Sequence, residues 1–191
     1  MADKLRVGVI GSGGMTQNHS KGYLNSGQYE IVGLADLSQE VMNEYDEVFS
    51  EHDDYKAQHF TDFREMLQVA KPDVVSIGVW HSGHAPMTVA AAAAGGVKGI
   101  LCEKPMADSL AAAAEMLMVC KRNNVKLVIG HQRRFLPAYT LAKQMIEDGE
   151  IGDVRLITSV AGDGLPNYAS HQTDMFRYLL GDVECTWVMG N

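Results

Sequence analysis

The chain has 191 residues, of which 46% are hydrophobic, 21% charged and 7% aromatic. These values are ordinary for a globular protein, and the length suits one complete domain and part of a second. Sixteen basic residues against 24 acidic ones give a formal net charge of −8. A surface that negative repels phosphate backbones, so the charge excludes nucleic acid as a general partner.

Cysteine usage and apolar segments indicate the compartment. The three cysteines, Cys102, Cys120 and Cys185, are odd in number and have no C-x-x-C spacing, which predicts reduced thiols rather than disulfides or a zinc site. No signal peptide is evident at the N-terminus, and the longest apolar stretch is too short to cross a membrane. We therefore expect a cytoplasmic protein that holds no metal and does not contact a membrane.

Short β-branched runs alternate with longer helical patterns, which is typical of βαβ units and a parallel sheet. Five of the predicted strands can be located: Arg6–Ile10, Glu30–Ala35, Val74–Val79, Gly99–Cys102 and Lys126–Gly130. The predicted helices are Thr16–Ser26, Ser38–Glu51 (with Ser38 as its N-cap), Phe63–Ala70, Gly83–Ala94 (closed by Gly95-Gly96) and Asp108–Asn123. The pattern indicates an α/β fold, a doubly wound Rossmann domain of six strands over residues 1–130.

The remainder, residues 131–191, predicts the start of an α+β substrate domain. Helices are expected over Leu136–Asp148 and Tyr168–Leu180, and strands over Val154–Val160 and Val183–Met189. Two strands with their helices cannot bury a core of their own. Either these elements pack against the Rossmann domain or a partner chain, or the sequence is a fragment of a longer protein. We expect the fragment, with a partial second domain and poor catalysis by this chain alone.

A glycine-rich turn follows the first strand and opens the first helix. In Gly11-x-Gly13-x-x-Thr16, the first glycine makes the tight turn and the second lets a pyrophosphate approach the helix N-terminus. Thr16 stands where a third small residue lets helix and strand pack closely. The alternative is a tight turn without a ligand. The predicted cofactor contacts in the turn are Gly11, Gly13, Gly14 and Met15.

Asp36 ends the second predicted strand, 25 residues after Gly11. A carboxylate at this position accepts hydrogen bonds from the adenosine ribose hydroxyls. It also repels a 2′-phosphate, and the next residues are Leu37 and Ser38 rather than arginine. The sequence therefore predicts a dinucleotide site that favours NAD over NADP.

Lys104 lies in Glu103-Lys104-Pro105, directly after the predicted strand Gly99–Cys102. Ligands of open α/β sheets bind beyond the carboxyl ends of the strands, so this lysine is expected to face a cleft. There it can hydrogen-bond a substrate hydroxyl or help to deprotonate it. The alternative is a solvated lysine in a turn.

Histidines supply further candidates. His171 and Asp174 lie three residues apart on one face of a predicted helix, where the imidazole can act as general acid or base and the carboxylate can orient it. The alternative is an ordinary capping or core histidine. His84 follows the strand Val74–Val79 and is a weaker candidate to face the same cleft.

Taken together, these motifs resemble the Gfo/Idh/MocA oxidoreductases, the family of glucose–fructose oxidoreductase and inositol dehydrogenase. The resemblance rests on Gly11–Thr16, Asp36, His84, Glu103-Lys104-Pro105, Gln132–Pro137, Gly152–Arg155 and His171–Asp174. It implies that Lys104 and His171 are catalytic, that the Lys104–Pro105 bond is cis, and that Glu103 helps to form the nicotinamide pocket. It further implies that Arg134 lies near the cofactor or substrate, and that the full-length protein is a homo-oligomer.

Two positions depart from the pattern of that family. Many relatives have aspartate four residues before the histidine, where this chain has Asn167, which can hydrogen-bond a sugar but cannot act as a base. Relatives commonly have Thr-Pro-Asn after the fourth strand of the domain, where this chain has Val79-Trp80-His81. In place of the usual contacts to the nicotinamide ribose, Trp80 is expected to stack on the cofactor.

The resemblance implies NAD(P)-dependent hydride transfer between nicotinamide and a hydroxyl-bearing carbon of a sugar or cyclitol. NAD-assisted cleavage of a glycosidic bond is an alternative within the family. A cofactor-binding regulator without turnover is an alternative from another class, and Asn167 makes it more plausible.

Overall fold

The computed structural model describes residues 3–160 and 168–190. The chain divides into two compact units, Met1–Gly130 and His131–Asn191. The strands of the first unit are β1 (Leu5–Ile10), β2 (Tyr29–Ala35), β3 (Tyr55–Phe60), β4 (Val74–Ile77), β5 (Gly99–Cys102) and β6 (Lys126–Ile129). Its helices are α1 (Gly14–Ser26), α2 (Gln39–Phe49), α3 (Phe63–Val69), α4 (His81–Ala93) and α5 (Leu110–Arg122).

The first unit is a parallel six-stranded sheet in the order β3-β2-β1-β4-β5-β6. This order is that of a doubly wound Rossmann fold, so the predicted fold class is confirmed. The strand order reverses between β1 and β4, and at such a switch point a crevice opens beyond the carboxyl ends of the strands. The topology therefore places the ends of β1, β2 and β4 around one potential ligand site.

Apolar side chains cover both faces of the central strands. Val7 and Val9 of β1 are fully buried and pack with Met42 and Tyr45 of α2 on one face. A second cluster includes Val75 and Ile77 of β4, Met66 of α3, Ala91 of α4 and Met116 of α5. Because helices cover both faces, the central strands are nearly continuous runs of β-branched residues.

The bounds of β3 were not predicted from the sequence. This strand forms one edge of the sheet, and Lys56 and Gln58 on it are exposed while Phe60 is buried. The polar positions weaken the hydrophobic signal by which the five other strands are found. At this edge of the sheet the side chains of Lys56 and Gln58 reach solvent, which favours polar residues.

Local signals for the ends of helices are confirmed. Ser38 is the N-cap of α2, and its hydroxyl accepts a hydrogen bond from the Val41 amide at 3.3 Å. After α4, Gly95 and Gly96 have φ values of 76° and 89°. This left-handed conformation suits glycine and turns the chain away from the helix axis.

The second unit contains a short 3₁₀ helix, Gln132–Phe135, and the helices α6 (Pro137–Glu147) and α7 (Ser170–Leu179). Both predicted helices are thus confirmed, whereas the two predicted strands are wrong. Residues 154–160 and 183–189 have no strand assignment. A strand requires a hydrogen-bonded neighbour, and a hydrophobic pattern alone does not supply one. Among the described residues, no helix is long and apolar enough to cross a membrane.

We expect the three thiols to differ sharply in reactivity. Cys102 and Cys120 are buried, whereas Cys185 is exposed. Burial disfavours the thiolate, which raises the pKa of Cys102 to about 12 and also raises the pKa of Cys120. At pH 8, Ellman's reagent should therefore label one thiol of the folded chain rapidly and all three in denaturant. Cys185→Ser should abolish the rapid phase, and rapid labelling of a second thiol would contradict the structure.

Candidate functional site

The glycine-rich turn connects β1 to α1. Gly11 has a φ of 86°, and a Cβ on it would lie 2.8 Å from the Gly78 carbonyl oxygen, so only glycine fits. At Gly13 and Gly14 a Cβ would meet no atom within 4 Å. Gly13 is the N-cap of α1, and no side-chain hydrogen bond caps this helix end. The first amides of α1 therefore lie at an open surface where they can hold an anion such as a pyrophosphate.

Thr16 stands where the fingerprint has its third small residue. The side chain is fully buried, and its hydroxyl lies 2.6 Å from the Gly11 carbonyl oxygen and 2.9 Å from that of Gly13. A Cβ on Gly78 would lie only 2.4 Å from the Thr16 Cγ2 methyl. Gly78, directly after β4, thus provides the space that threonine needs.

Asp36 follows β2 and is bonded to the turn itself. Its Oδ2 accepts a hydrogen bond from the Ser12 amide at 2.7 Å, and its Oδ1 accepts one from the Ser38 amide at 3.0 Å. The carboxylate thereby joins the glycine turn to the start of α2. Each oxygen keeps a second lone pair with which it can accept a ribose hydroxyl.

A cleft of about 580 Å³ opens beside the turn. Four of the predicted cofactor residues line it: Gly11, Gly13, Asp36 and Trp80. Trp80 is 83% exposed at the start of α4, so its ring is accessible for stacking. The apolar walls of the cleft were not predicted from the sequence, and they include Leu37, Val41, Phe63, Val79 and Met87. Gly14 and Met15 lie in the first turn of α1, and Met15 is exposed.

His84 does not face this cleft, contrary to its candidacy from the sequence. The side chain is 1% exposed. Its Nδ1 lies 2.7 Å from the Pro105 carbonyl oxygen, and its Nε2 lies 3.0 Å from the Val79 carbonyl oxygen. Within α4, the His84 ring is directed at backbone carbonyl oxygens rather than at the cleft.

Glu103 is buried in a polar network directly after β5. Its Oε1 lies 3.1 Å from Nε2 of His19, and its Oε2 accepts a hydrogen bond from the Lys104 amide at 3.1 Å. Burial by itself raises the pKa of the Glu103 carboxyl, but His19 and Lys104 outweigh it and hold that pKa below its ordinary value. Nδ1 of His19 lies 2.8 Å from the hydroxyl of Ser76 on β4.

Lys104 itself is half-buried, and the Lys104–Pro105 bond is cis, as predicted. The role of His19 in this network was not predicted from the sequence. Its spacing could have indicated it, because this histidine lies three residues after Thr16, almost one turn along α1 and on the same face of the helix.

The second unit contains the other predicted site residues. His171 lies on α7, is 7% exposed, and meets the His131 ring edge-on at a centroid distance of 5.9 Å. Arg134 forms a bidentate ion pair with Asp174, with N–O distances of 2.7 to 3.0 Å. Asp174 also lies 3.7 Å from Nδ1 of His131. The carboxylate that was expected to orient His171 is thus engaged by Arg134, and Asn167 lies outside the described residues.

The chain is similar in sequence and in structure to known oxidoreductases. Levoglucosan dehydrogenase of Pseudarthrobacter phenanthrenivorans is 30% identical, with an alignment that covers 96% of this chain and 55% of that protein. An NAD binding oxidoreductase from Klebsiella pneumoniae is 29% identical, with a TM-score of 0.75 over 94% of this chain and 54% of the other. The scyllo-inositol dehydrogenase from Lactobacillus casei, solved with NAD(H) and scyllo-inositol, shares the fold at a TM-score of 0.80 and 22% identity, covering 94% of this chain and 57% of its own.

The chain spans about half the length of the relatives that it matches. Residues 5–131 match the Gfo/Idh/MocA oxidoreductase family, which is described by its NAD-binding Rossmann fold. This match covers the whole of the six-stranded sheet and both the Gly11–Thr16 turn and the Glu103–Pro105 segment. The chain therefore belongs to the Gfo/Idh/MocA family of oxidoreductases.

Proposed function

We propose that the complete protein is an NAD(P)-dependent oxidoreductase that transfers a hydride to or from a hydroxyl-bearing carbon of a sugar or cyclitol. The observation that carries the proposal is the uncapped N-terminus of α1 beside Asp36, at the mouth of one cleft. Membership of the oxidoreductase family supports it. The similarity to a levoglucosan dehydrogenase supports the substrate class.

The residues of the cleft fit a dinucleotide. The α1 amides at Gly13 and Gly14 would hold the pyrophosphate, Asp36 the adenosine ribose, and Trp80 would stack on the cofactor. We assign further cofactor contacts to Gly11, Met15, Glu103, Lys104 and Arg134. The bound nicotinamide supplies the hydride acceptor or donor. The negative charge of Asp36 disfavours a 2′-phosphate, so NAD is the preferred cofactor.

Proton handling is assigned to Lys104 and His171. An ammonium or imidazole can donate a proton to the substrate oxygen, or take one from it, as the carbon changes oxidation state. Asn167 is assigned to hydrogen-bond the substrate. In a sugar and cyclitol panel, oxidised product would support dehydrogenation, whereas release of a free leaving group would indicate glycoside cleavage. Cofactor binding without any turnover would indicate a regulator.

The protein is further assigned to the cytoplasm as a homo-oligomer in its complete form. Free thiols at all three cysteines support a reducing compartment. The oligomer follows from the family resemblance, and light scattering on the complete protein tests it.

Asp36→Ala is expected to weaken NAD binding by about 1–2 kcal/mol, the size of a lost charge-assisted hydrogen bond. NADP affinity should fall less or rise, because a repulsive charge is removed. Titration calorimetry with both cofactors measures the change, and thermal unfolding reports any loss of the Ser12 bond. Asp53→Ala, at an exposed loop residue, is the matched control. Unchanged affinity for both cofactors would remove Asp36 from the site.

A further inference from the structure

Two histidines, one buried (His84) and one half-buried (His19), hold the backbone on either side of Lys104. His19 of α1 binds the Glu103 carboxylate, which in turn accepts the Lys104 amide. His84 of α4 binds the Pro105 carbonyl oxygen at 2.7 Å. The residue before Lys104 and the residue after it are thus each tied to a different helix. Neither histidine is among the residues that line the cleft.

The partners of His84 are both acceptors. Backbone carbonyl oxygens cannot donate, so a hydrogen bond to Val79 or to Pro105 needs an N–H on the ring nitrogen that faces it. The side chain is 1% exposed, and a buried polar group without partners costs free energy. A glutamine amide also carries two N–H donors, whereas leucine carries none. A comparison of the glutamine and leucine variants at this position therefore distinguishes the effect of the hydrogen bonds from the effect of filling the space.

The Glu103 carboxylate, to which His19 binds, is restrained on several sides. The ring bridges Ser76 Oγ and Glu103 Oε1, so it connects β4 to the segment after β5. At the end of β6, a Cβ on Gly130 would lie 2.6 Å from Glu103 Oε1. The carboxylate therefore has little room to move while the Lys104 amide remains bonded to it. Glutamine at position 19 can donate to Glu103 and accept from Ser76, as histidine does.

We infer that His19 and His84 are positioning residues for Lys104, which fix its backbone from both sides and so direct its ammonium group. Each acts through a neighbour of Lys104 in the chain: His19 through Glu103 and His84 through Pro105. The catalytic use of that ammonium rests on the proposed function, but the restraint itself does not. Loss of either histidine bond should let the Lys104 side chain sample more orientations.

The restraint can be measured without cofactor or substrate. Lysines of the 191-residue chain are reductively methylated with ¹³C-formaldehyde, and the Lys104 signal is assigned by its loss in Lys104→Arg. In the wild type this signal should be separate from those of exposed lysines. In His19→Leu and His84→Leu it should shift towards them, and His19→Gln and His84→Gln should restore it. His52→Leu, at an exposed loop histidine, is the control.

If a leucine variant does not fold, Gly130→Ala provides an independent test of the restraint on Lys104. It displaces the Glu103 carboxylate while both histidine side chains are retained, and it should shift the Lys104 signal in the same direction. An unshifted signal in folded leucine variants and in Gly130→Ala would overturn the inference.

Kinetics of the complete protein separate the inference from the proposed function. The leucine variants should lose turnover on the order of 10- to 100-fold, as expected when a catalytic group is misplaced by about an ångström. The KM for NAD should remain within about twofold, and the glutamine variants should recover turnover. Full turnover in the leucine variants would overturn the inference. A shifted Lys104 signal in a protein that turns over no sugar or cyclitol would refute the proposed function but support the positioning role.

Discussion

Lys104→Ala and His171→Ala in the complete protein are each expected to lower kcat by about two to four orders of magnitude. Each variant removes a group that we assign to proton transfer at the substrate oxygen. NAD affinity should remain nearly intact, because the pyrophosphate and ribose contacts are assigned to the Gly11–Thr16 turn and Asp36. Steady-state kinetics on a sugar and cyclitol panel measure kcat, and calorimetry measures NAD binding.

Matched controls separate a specific loss from general damage. Lys121→Ala removes an exposed lysine at the end of α5, and His52→Ala removes an exposed loop histidine. Both should leave kcat unchanged. The double variant Lys104→Ala/His171→Ala should be little slower than either single variant, because groups that act as a unit are not additive. Two fully additive losses, or kcat within tenfold of the wild type for either single variant, would contradict the joint assignment.

Gly78→Ala is expected to destabilise the first unit by about 1–3 kcal/mol or more, the usual result of overpacking a core. The new Cβ would lie 2.4 Å from the Thr16 Cγ2 methyl. The backbone cannot easily yield, since the Gly78 amide donates to the Ile10 carbonyl at 2.9 Å. Any shift of Thr16 would also disturb the glycine turn, so NAD binding should weaken. Urea unfolding and calorimetry measure the two effects.

Thr16→Ser provides a rescue that only this packing explains. Serine keeps the hydroxyl that contacts the Gly11 carbonyl oxygen but lacks Cγ2. The Cβ of residue 16 would then be the nearest side-chain atom to a Cβ on Gly78, at 3.7 Å, which is an ordinary contact. Gly78→Ala should therefore cost much less in the Thr16→Ser background.

Gly22→Ala is the control for this pair, because a Cβ there meets no atom within 4 Å. It lies within α1, where alanine stabilises a helix relative to glycine by about 1 kcal/mol. If Gly78→Ala destabilised the protein equally with threonine or serine at position 16, the assigned clash would be wrong.

Local features of the sequence determined most of the fold. The alternation of β-branched runs with helical patterns predicts the Rossmann domain, and Ser38 and Gly95 mark helix ends because capping depends on a few neighbouring residues. The positions of Gly11 and Asp36 beside the cleft were predictable, because the strand–turn–helix context fixes them at the ends of β1 and β2. These signals depend on short stretches of chain, so they can be recognised without the tertiary structure.

Contacts between distant residues were decided by the tertiary structure alone. His19 and Glu103 are 84 residues apart, and they meet because α1 and the segment after β5 converge on Ser76 of β4. Arg134 binds Asp174 across 40 residues, where the sequence had suggested a local partner on the same helix face. Periodicity shows which face of an element is apolar. Which polar side chains then face one another depends on how the elements pack, and that packing is a property of the whole fold.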